Sequence, residues 1–477
     1  MTVGETPVAE AWPEGRGGEQ AEGVWQTGRP GDPGARYSAY MEAPVDWIGE
    51  IPSHWNVVAL KRVAPFVSRG SAPEYAEDET GTPVINQACV YWDGLRLDRV
   101  KYDQSPRPAR TRKGYLQDGD VLVNSTGTGT LGRAAVFNET GEHIADTHVT
   151  IVRLDQTQCD PRYLAYLLAT PIYQGFIYTA LVSGSTNQIE LSREDLRAAP
   201  TILPPLDEQR AIAAFLDRET AKIDALIARH EEVKRQLTDL YKAKITELLI
   251  FNEYVGHAEK VQHFVEGTAA TITEYDMVKT KHLARAPLQY GSNDPWESQD
   301  QSWPRYIRIT DMTRSGNLRS DSFVSISPGR AAPYILYDGD ILLARSGATV
   351  GKAFQYKESM GPACYAGYLI KFQPDPDKIY PEFARYVFSS SAYEAWLESV
   401  FSKATIQNIN AEKYANLKIP CPPLLRQARV LEQLDELSEA ISHLQESVSK
   451  QIARLQEYRT ALISAAVTGQ IDVRSRA

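Results

Sequence analysis

One stretch constrains this chain more than any other. Leu206–Ile250 contains neither Gly nor Pro and follows directly on Pro204 and Pro205. Its apolar residues Ile212, Leu216, Ile223, Leu226, Val233, Leu237 and Leu240 recur at steps of four and three, with Glu219 and His230 as polar members of the same seam. Sustained alternation of this kind describes a helix pressed along its length against a partner helix. At about 1.5 Å per residue such a helix is roughly 65 Å long, more than one ordinary domain encloses. The partner lies in Leu424–Gln470, which opens after Pro422 and Pro423 and stops at Gly469. It carries Val430, Leu434, Leu437, Ile441, Leu444, Val448, Leu455, Tyr458 and Leu462 at the same steps, with Gln451 as the polar member.

Two unrelated amphipathic helices would show the same spacing, so the test is whether the flanking sequence repeats too. It does. Asp118-Gly119-Asp120 precedes a strand-like run, a Gly-rich turn and Leu131-Gly132-Arg133-Ala134; Asp338-Gly339-Asp340 precedes a strand-like run, Arg345-Ser346-Gly347 and Val350-Gly351-Lys352-Ala353. The polar loop Gly184–Ile189 before helix-like Ser192–Leu196 is matched by Lys403–Ile409 before Ala411–Leu417, and each copy ends in Pro-Pro-Leu. Landmarks matched in the same order describe one unit, a globular domain followed by a long helix, used twice. Short strand-like runs (Thr82–Ile85, Val121–Val123, Thr147–Leu154, Ile341–Ala344, Leu369–Phe372) alternate with helix-like ones (Pro161–Ala169, Pro381–Phe388), so each domain is mixed α/β (α+β). The expected organisation is an acidic, Gly/Pro-rich disordered tail over 1–43, a first globular domain over 44–205 and a central helix over 206–252. A linker over 253–273, a second domain over 274–422, a C-terminal helix over 423–471 and a short tail over 472–477 complete it.

The chemistry-bearing motifs argue for recognition over catalysis. Gly127, Gly129 and Gly132 match the dinucleotide-binding glycine pattern, but that pattern needs a helix N-terminus behind it, and Arg133–Phe137 reads as a strand. A Gly-rich β-turn is the simpler reading. His143 and His148 flank a strand start without metal-ligand spacing and read as surface or hydrogen-bonded histidines. The four cysteines, Cys89, Cys159, Cys364 and Cys421, form no CxxC pair, so neither a zinc site nor a disulfide framework is expected in this chain. No apolar run reaches bilayer length, and no signal peptide is visible, which leads to a cytoplasmic expectation without membrane partners.

The net charge of −10 argues mildly against a free-standing nucleic-acid binder. Local sign matters more. Arg107, Arg110, Arg112 and Lys113 crowd one stretch with Arg96, Arg99 and Lys101, and Arg305, Arg308 and Arg314 lie with Arg319 and Arg330 in the second domain. Such runs neutralise phosphates, although solvated basic faces look the same. Candidate base or phosphate contacts in the turns and loops are Arg69, Asn124, Ser125, Thr126, Thr128, Arg133, Thr186, Asn187 and Gln188 in the first domain. In the second they are Arg345, Ser346, Lys352, Lys403, Thr405, Gln407 and Asn408. The Thr-Asn-Gln and Thr-Ile-Gln-Asn loops would equally cap the helices that follow.

Trp47-Ile48-Gly49-Glu50-Ile51-Pro52 and Trp55 at the domain start, the Asp-Gly-Asp strands, and Pro204-Pro205-Leu206-Asp207-Glu208-Gln209-Arg210 entering a long helix resemble the specificity subunit (HsdS) of type I restriction-modification systems. The resemblance runs from Pro44 to about Ile471. The second copy departs from it, keeping only Gln427 of the helix-entry motif and lacking the Trp-Ile-Gly-Glu-Ile-Pro opening. The resemblance implies two target-recognition domains separated by antiparallel coiled-coil helices in a pseudo-two-fold molecule, each domain reading half of a split double-stranded DNA target. Half-sites on one face of B-DNA lie about one helical turn, roughly 34 Å, or a multiple apart. It further implies one copy of this chain per complex, docked to two methyltransferase (modification) subunits that methylate adenine N6, with two restriction/motor subunits as further partners. S-adenosylmethionine, ATP and Mg belong to those partners, and this chain is not itself an enzyme. Two other classes remain: a coiled-coil adaptor whose domains bind proteins, and a nucleotide-dependent enzyme built on Gly127–Gly132.

Overall fold

The computed structural model describes residues 36–127, 129–183, 189–250, 277–312, 318–319, 321–347, 350–401 and 408–474. The chain divides into two units, Met1–Arg229 with Ile452–Ala477, and His230–Gln451. The expected linker over 253–273 lies outside the described residues.

In the first unit, strands β1 (Tyr40–Glu42), β2 (Glu50–Pro52), β3 (Asn56–Ala59), β4 (Phe66–Arg69), β5 (Thr82–Ile85), β6 (Lys101–Asp103), β7 (Val121–Asn124), β8 (Ala134–Val136), β9 (Ile144–Ala145) and β10 (Val149–Arg153) precede helices α1 (Pro161–Leu168), α2 (Pro171–Phe176) and α3 (Arg193–Ala198). Strand β11 (Pro200–Leu203) then leads into α4 (Leu206–Ile250). The central sheet is antiparallel in the order β8-β7-β10-β4. Beside it β9 pairs in parallel with β5, and β11 returns to pair with β3.

The second unit repeats this plan. Its elements are β12 (Met277–Lys279), β13 (Gln289–Tyr290), β14 (Arg305–Ile307), the short helix α5 (Pro328–Ala331), β15 (Ile341–Ala344), β16 (Ala353–Gln355), β17 (Ala363–Tyr365), β18 (Leu369–Phe372), α6 (Pro381–Val387), α7 (Ser391–Phe401), α8 (Ala411–Asn416), β19 (Lys418–Pro420) and α9 (Leu424–Val467). The sheet order is β16-β15-β18-β13, β17 pairs in parallel with β14, and β19 pairs with β12. The mixed α/β class and the duplication read from sequence are therefore both present.

The Asp-Gly-Asp landmark has a physical reason. Gly119 and Gly339 sit at φ 82° and 83°, a left-handed conformation that costs glycine least. The acid that follows is buried and closes the turn: Asp120 accepts from the Gln117 amide at 2.7 Å and from Arg153, and Asp340 accepts from the Tyr337 amide at 3.0 Å. Each of a second pair of glycines, Gly70 and Gly291, is followed by a serine. A Cβ on either would collide with carbonyl oxygens of the strand beside it.

Each long helix is locked to its own globular domain by one glutamine. The Gln209 amide donates to the Pro204 and Gln158 carbonyls at 2.8 and 3.0 Å, and its oxygen accepts from the Asp160 amide at 2.9 Å. Gln427 does the same with Pro422, Lys378 and Tyr380, at 2.8, 2.9 and 2.8 Å. Both side chains are fully buried.

Within each unit α4 and α9 run antiparallel. Arg459 pairs with Asp224 in the first unit, and in the second the Gln451 side-chain oxygen accepts from His230 Nε2 at 2.7 Å and Gln445 donates to Thr238. His230 of one seam and Gln451 of the other thus meet, while Glu219 pairs with Lys222 of its own helix. Ile212, Leu216 and Ile223 belong to the first unit's core, and Val430 and Leu434 to the second's. Ile441 is buried, while Leu237, Leu437, Val448 and Leu455 are half-buried. Leu226, Val233, Leu240 and Leu444 differ from the expected continuous seam, being exposed, the last two at 51% and 50%. A pair of helices encloses only a narrow stripe, and residues on its flanks stay wet.

Described residues within both expected tails, 36–43 and 472–474, pack into the fold. From Arg36 onward the chain is part of the fold: Tyr37 is buried, and β1 pairs with β2. Tyr40 donates to the Gly469 carbonyl at 2.8 Å. At the other end Val473 is buried, Arg474 lies over the Tyr37 ring, and Glu208 at the start of α4 pairs with His54 at 2.9 Å. Aromatic and apolar residues near both ends supply the burial that holds them.

Replacing Gln427 with Ala leaves buried carbonyl and amide groups unpaired and should destabilise the second unit by roughly 2–4 kcal/mol. Gln427→Glu should cost a similar amount, because a carboxylate accepts but cannot donate. Urea unfolding of the three proteins checks both.

Candidate nucleic-acid interface

In each unit the turn between the two central strands is held against the loop that precedes α3 or α8. Thr126 bridges Glu190, with the Leu191 amide donating to the Ser125 carbonyl at 2.8 Å. Ser346 bridges Asn408, with the Ile409 amide donating to the Arg345 carbonyl at 2.9 Å. The two regions picked out in sequence therefore converge on one rim per unit.

Candidates differ in their availability on that rim. Asn124 and Ser125 are fully buried: Asn124 donates to the Gln87 carbonyl at 3.0 Å, and Ser125 shares a hydrogen bond with Thr150. Thr126 is half-buried and hydrogen-bonds His148. Arg69 donates to the Leu191 carbonyl at 3.1 Å and pairs with Glu190. Arg133 and Arg345 are half-buried, each with its guanidinium 4.8 Å from a tyrosine ring centre, Tyr91 and Tyr290 respectively. Their Nε atoms are buried without a hydrogen-bond partner. Lys352 is half-buried and Asn408 exposed. Thr128, Thr186, Asn187, Gln188, Arg314, Lys403, Thr405 and Gln407 lie outside the described residues.

Much of the basic stretches is neutralised from within. Arg112 pairs with buried Asp103 at 2.7 Å, and Arg110 with Glu142 at 2.7 Å. Arg308 grips Asp311 through two donors, and that partner raises the already high guanidinium pKa. Arg305 donates to the Arg319 carbonyl. Arg107 and Lys113 are exposed.

Strand register pairs the two rims and adds Gln87, His148, Tyr290, Ile309 and Tyr368 to the candidates read from sequence. With β10 aligned on β18 and β5 on β14, Arg69 corresponds to Tyr290, Gln87 to Ile309, Ser125 to Arg345, and His148 to Tyr368. Gly70-Ser71 and Gly291-Ser292 are the one local signal that would have aligned them. The backbone is duplicated while the side chains at the rim differ. Behind it the Asp146 carboxyl accepts from the His148 amide at 2.8 Å and from Tyr75 at 3.3 Å, and burial raises its pKa. Burial also pushes the Cys89 thiol up to about 11 and the Cys159 and Cys364 thiols up to about 12, which keeps them protonated at neutral pH. Among the described residues no cluster of His, Cys, Asp and Glu could hold a metal, and no single helix is long and apolar enough to cross a bilayer.

The chain thus uses one kind of domain, followed by a long helix, twice, and the two copies carry rims of one backbone geometry and different side chains. The chain belongs to the family of the type I restriction modification DNA specificity domain, whose model matches residues 52–235 and 292–454. It is 22% identical over 435 residues to the putative type I restriction enzyme MjaX specificity subunit of Methanocaldococcus jannaschii, covering 90% of this chain and 96% of that one. It is 23% identical over 323 residues to the type I restriction enzyme StySPI specificity subunit of Salmonella potsdam, covering 66% and 67%. A solved chain from work on complex assembly and conformational transition of the type I R-M system superimposes with a TM-score of 0.63 at 17% identity, over 88% of this chain and 99% of that one.

Because burial raises the Asp146 pKa above 3.8, the native state holds that proton more tightly than the unfolded chain does. The resulting stabilisation is complete below the unfolded value and is lost as pH rises through the native one. Asp146→Asn should remove this component, so urea midpoints at about pH 4 and about pH 7 should converge in the variant relative to the parent.

Proposed function

We propose that this chain is the DNA sequence-specificity subunit of a type I restriction-modification complex, without catalytic activity of its own. Each unit reads one half of a split duplex target. The observation that carries the reading is the duplicated rim: identical backbone anchoring, with Arg69, Gln87 and His148 in one unit answered by Tyr290, Ile309 and Tyr368 in the other. A protein that must recognise two different half-sites needs such a pair. The 44–205 and 274–422 segments are the recognition domains, and the long helices dock methyltransferase subunits that modify adenine N6, with restriction/motor subunits joining the assembly. The exposed apolar residues Leu226 and Tyr458 of the first unit, and Val233, Leu240 and Leu444 of the second, favour such docking. One copy of this chain per complex follows from its internal duplication, and the cytoplasm is where those partners and their DNA meet.

Co-expression with the cognate methyltransferase, followed by sizing and methylation calling, tests the reading. A split adenine-methylated motif supports it. A chain that stays alone and adds no methylation would favour the protein-adaptor alternative. Replacing residues 274–422 with the corresponding segment of a relative should change one half of the motif and leave the other. Leu240→Glu should weaken co-purification of the methyltransferase while shifting stability by no more than about 0.5 kcal/mol, since the side chain is already exposed.

A further inference from the structure

The loop entering β10 and the loop entering β18 place one residue each at equivalent points of the two rims. Val149 lies opposite Asn124 and Leu369 opposite Ala344, so the residues immediately before them, His148 and Tyr368, correspond. Their carbonyls accept the same hydrogen bond, from the Ser125 amide at 2.9 Å and from the Arg345 amide at 3.1 Å. Both loops are tied down from behind. The Asp146 carboxylate accepts the His148 amide in the first unit, and the Gly367 amide donates to the Ser292 carbonyl at 2.6 Å in the second. The neighbours Asp146, Val149, Ala366 and Leu369 are buried, while His148 and Tyr368 are exposed, Tyr368 by 62%.

We infer that this shared position is a specificity determinant, His148 selecting a base in the half-site of the first unit and Tyr368 in that of the second. The inference rests on the functional reading above. Core packing gives no reason for either side chain, because neither is enclosed. Its placement gives one. Each stands on a backbone fixed by hydrogen bonds beside the central turn, the rigidity that base selection requires. The two chemistries also differ as two unlike half-sites demand. The His148 ring shares a hydrogen bond with the Thr126 hydroxyl through Nδ1 at 2.8 Å, which restrains the ring and leaves Nε2 as the polar group for a base edge in the major groove. Tyr368 offers a broad apolar ring for a thymine methyl and a hydroxyl at its tip. A contact to phosphate would instead weaken all sequences equally.

The test uses the full chain assembled with its methyltransferase and carrying His148→Ala or Tyr368→Ala. Methylation rates are measured on duplexes in which each base pair of each half-site is varied in turn. His148→Ala should reduce discrimination about tenfold at one base pair of one half and leave the other half unchanged, and Tyr368→Ala should do the reverse. His148→Gln, which keeps a polar group, should alter the preference at the same base pair while methylation of the best site persists. A split motif untouched by either alanine variant would overturn the assignment, as would an equal loss on every sequence or an unfolded variant. A parental complex with no split motif would sink the functional reading itself, and the assignment with it.

Discussion

The buried glutamine at each helix entrance is the contact on which the architecture turns. A long helix leaving a globular domain after two prolines has free backbone groups at its start and no covalent reason to leave in any one direction. Gln209 and Gln427 settle both matters. Each spans from its helix to a carbonyl of the Pro-Pro turn and to two backbone groups at the entrance of a domain helix. The residue has to present two donors and one acceptor on a neutral group of this length, which glutamine supplies and glutamate does not. Burying the amide without these partners would cost more than it returns, so the bonds form together or the entrance loosens.

Much of this design was legible in the sequence, and the gaps have physical causes. The Asp-Gly-Asp turns were readable because a left-handed glycine followed by a turn-closing acid is local chemistry. The helix seams were readable at Ile212, Leu216, Val430 and Leu434, where globular cores cover them. At Leu226, Val233, Leu240 and Leu444 the periodicity persists but the burial does not, since spacing reports a helix face and not how many neighbours cover it. Asn124 looks like a turn residue but ends the strand, and Ser125 follows it with its amide held by the His148 carbonyl, so both side chains are buried. His148 and Tyr368 share no residue type and become equivalent only once register pairs the strands around them. The early fold boundary at Tyr37 went unseen because scattered aromatics such as Tyr37 and Tyr40 in a Gly- and Pro-rich stretch carry no helix or strand period.

The acidic balance of the chain takes on a different meaning at this level. Arginines that looked like a basic face in sequence hold the domains together, as Arg112 does with Asp103 and Arg308 with Asp311. What remains at the rims is a small set of guanidiniums laid against tyrosines, Arg133 on Tyr91 and Arg345 on Tyr290, restrained by aromatic contact without a neutralising acid in that contact. Such contact with an aromatic face restrains a long side chain that would otherwise be free to change rotamer.

The closure of the first unit by residues far along the chain bears on how the protein is made. Leu462, Ile463, Val467, Ile471 and Val473 belong to the same core as Trp55 and Leu60, whereas the second unit is one continuous segment. During synthesis, at about 5–20 residues per second, the ribosome releases the segment for the second unit before the strands of the first unit receive their last packing partners. The domain translated first is thus the one completed last, and its half-finished core waits exposed for many seconds. That interval is one in which chaperones or a pre-assembled partner have the most to offer.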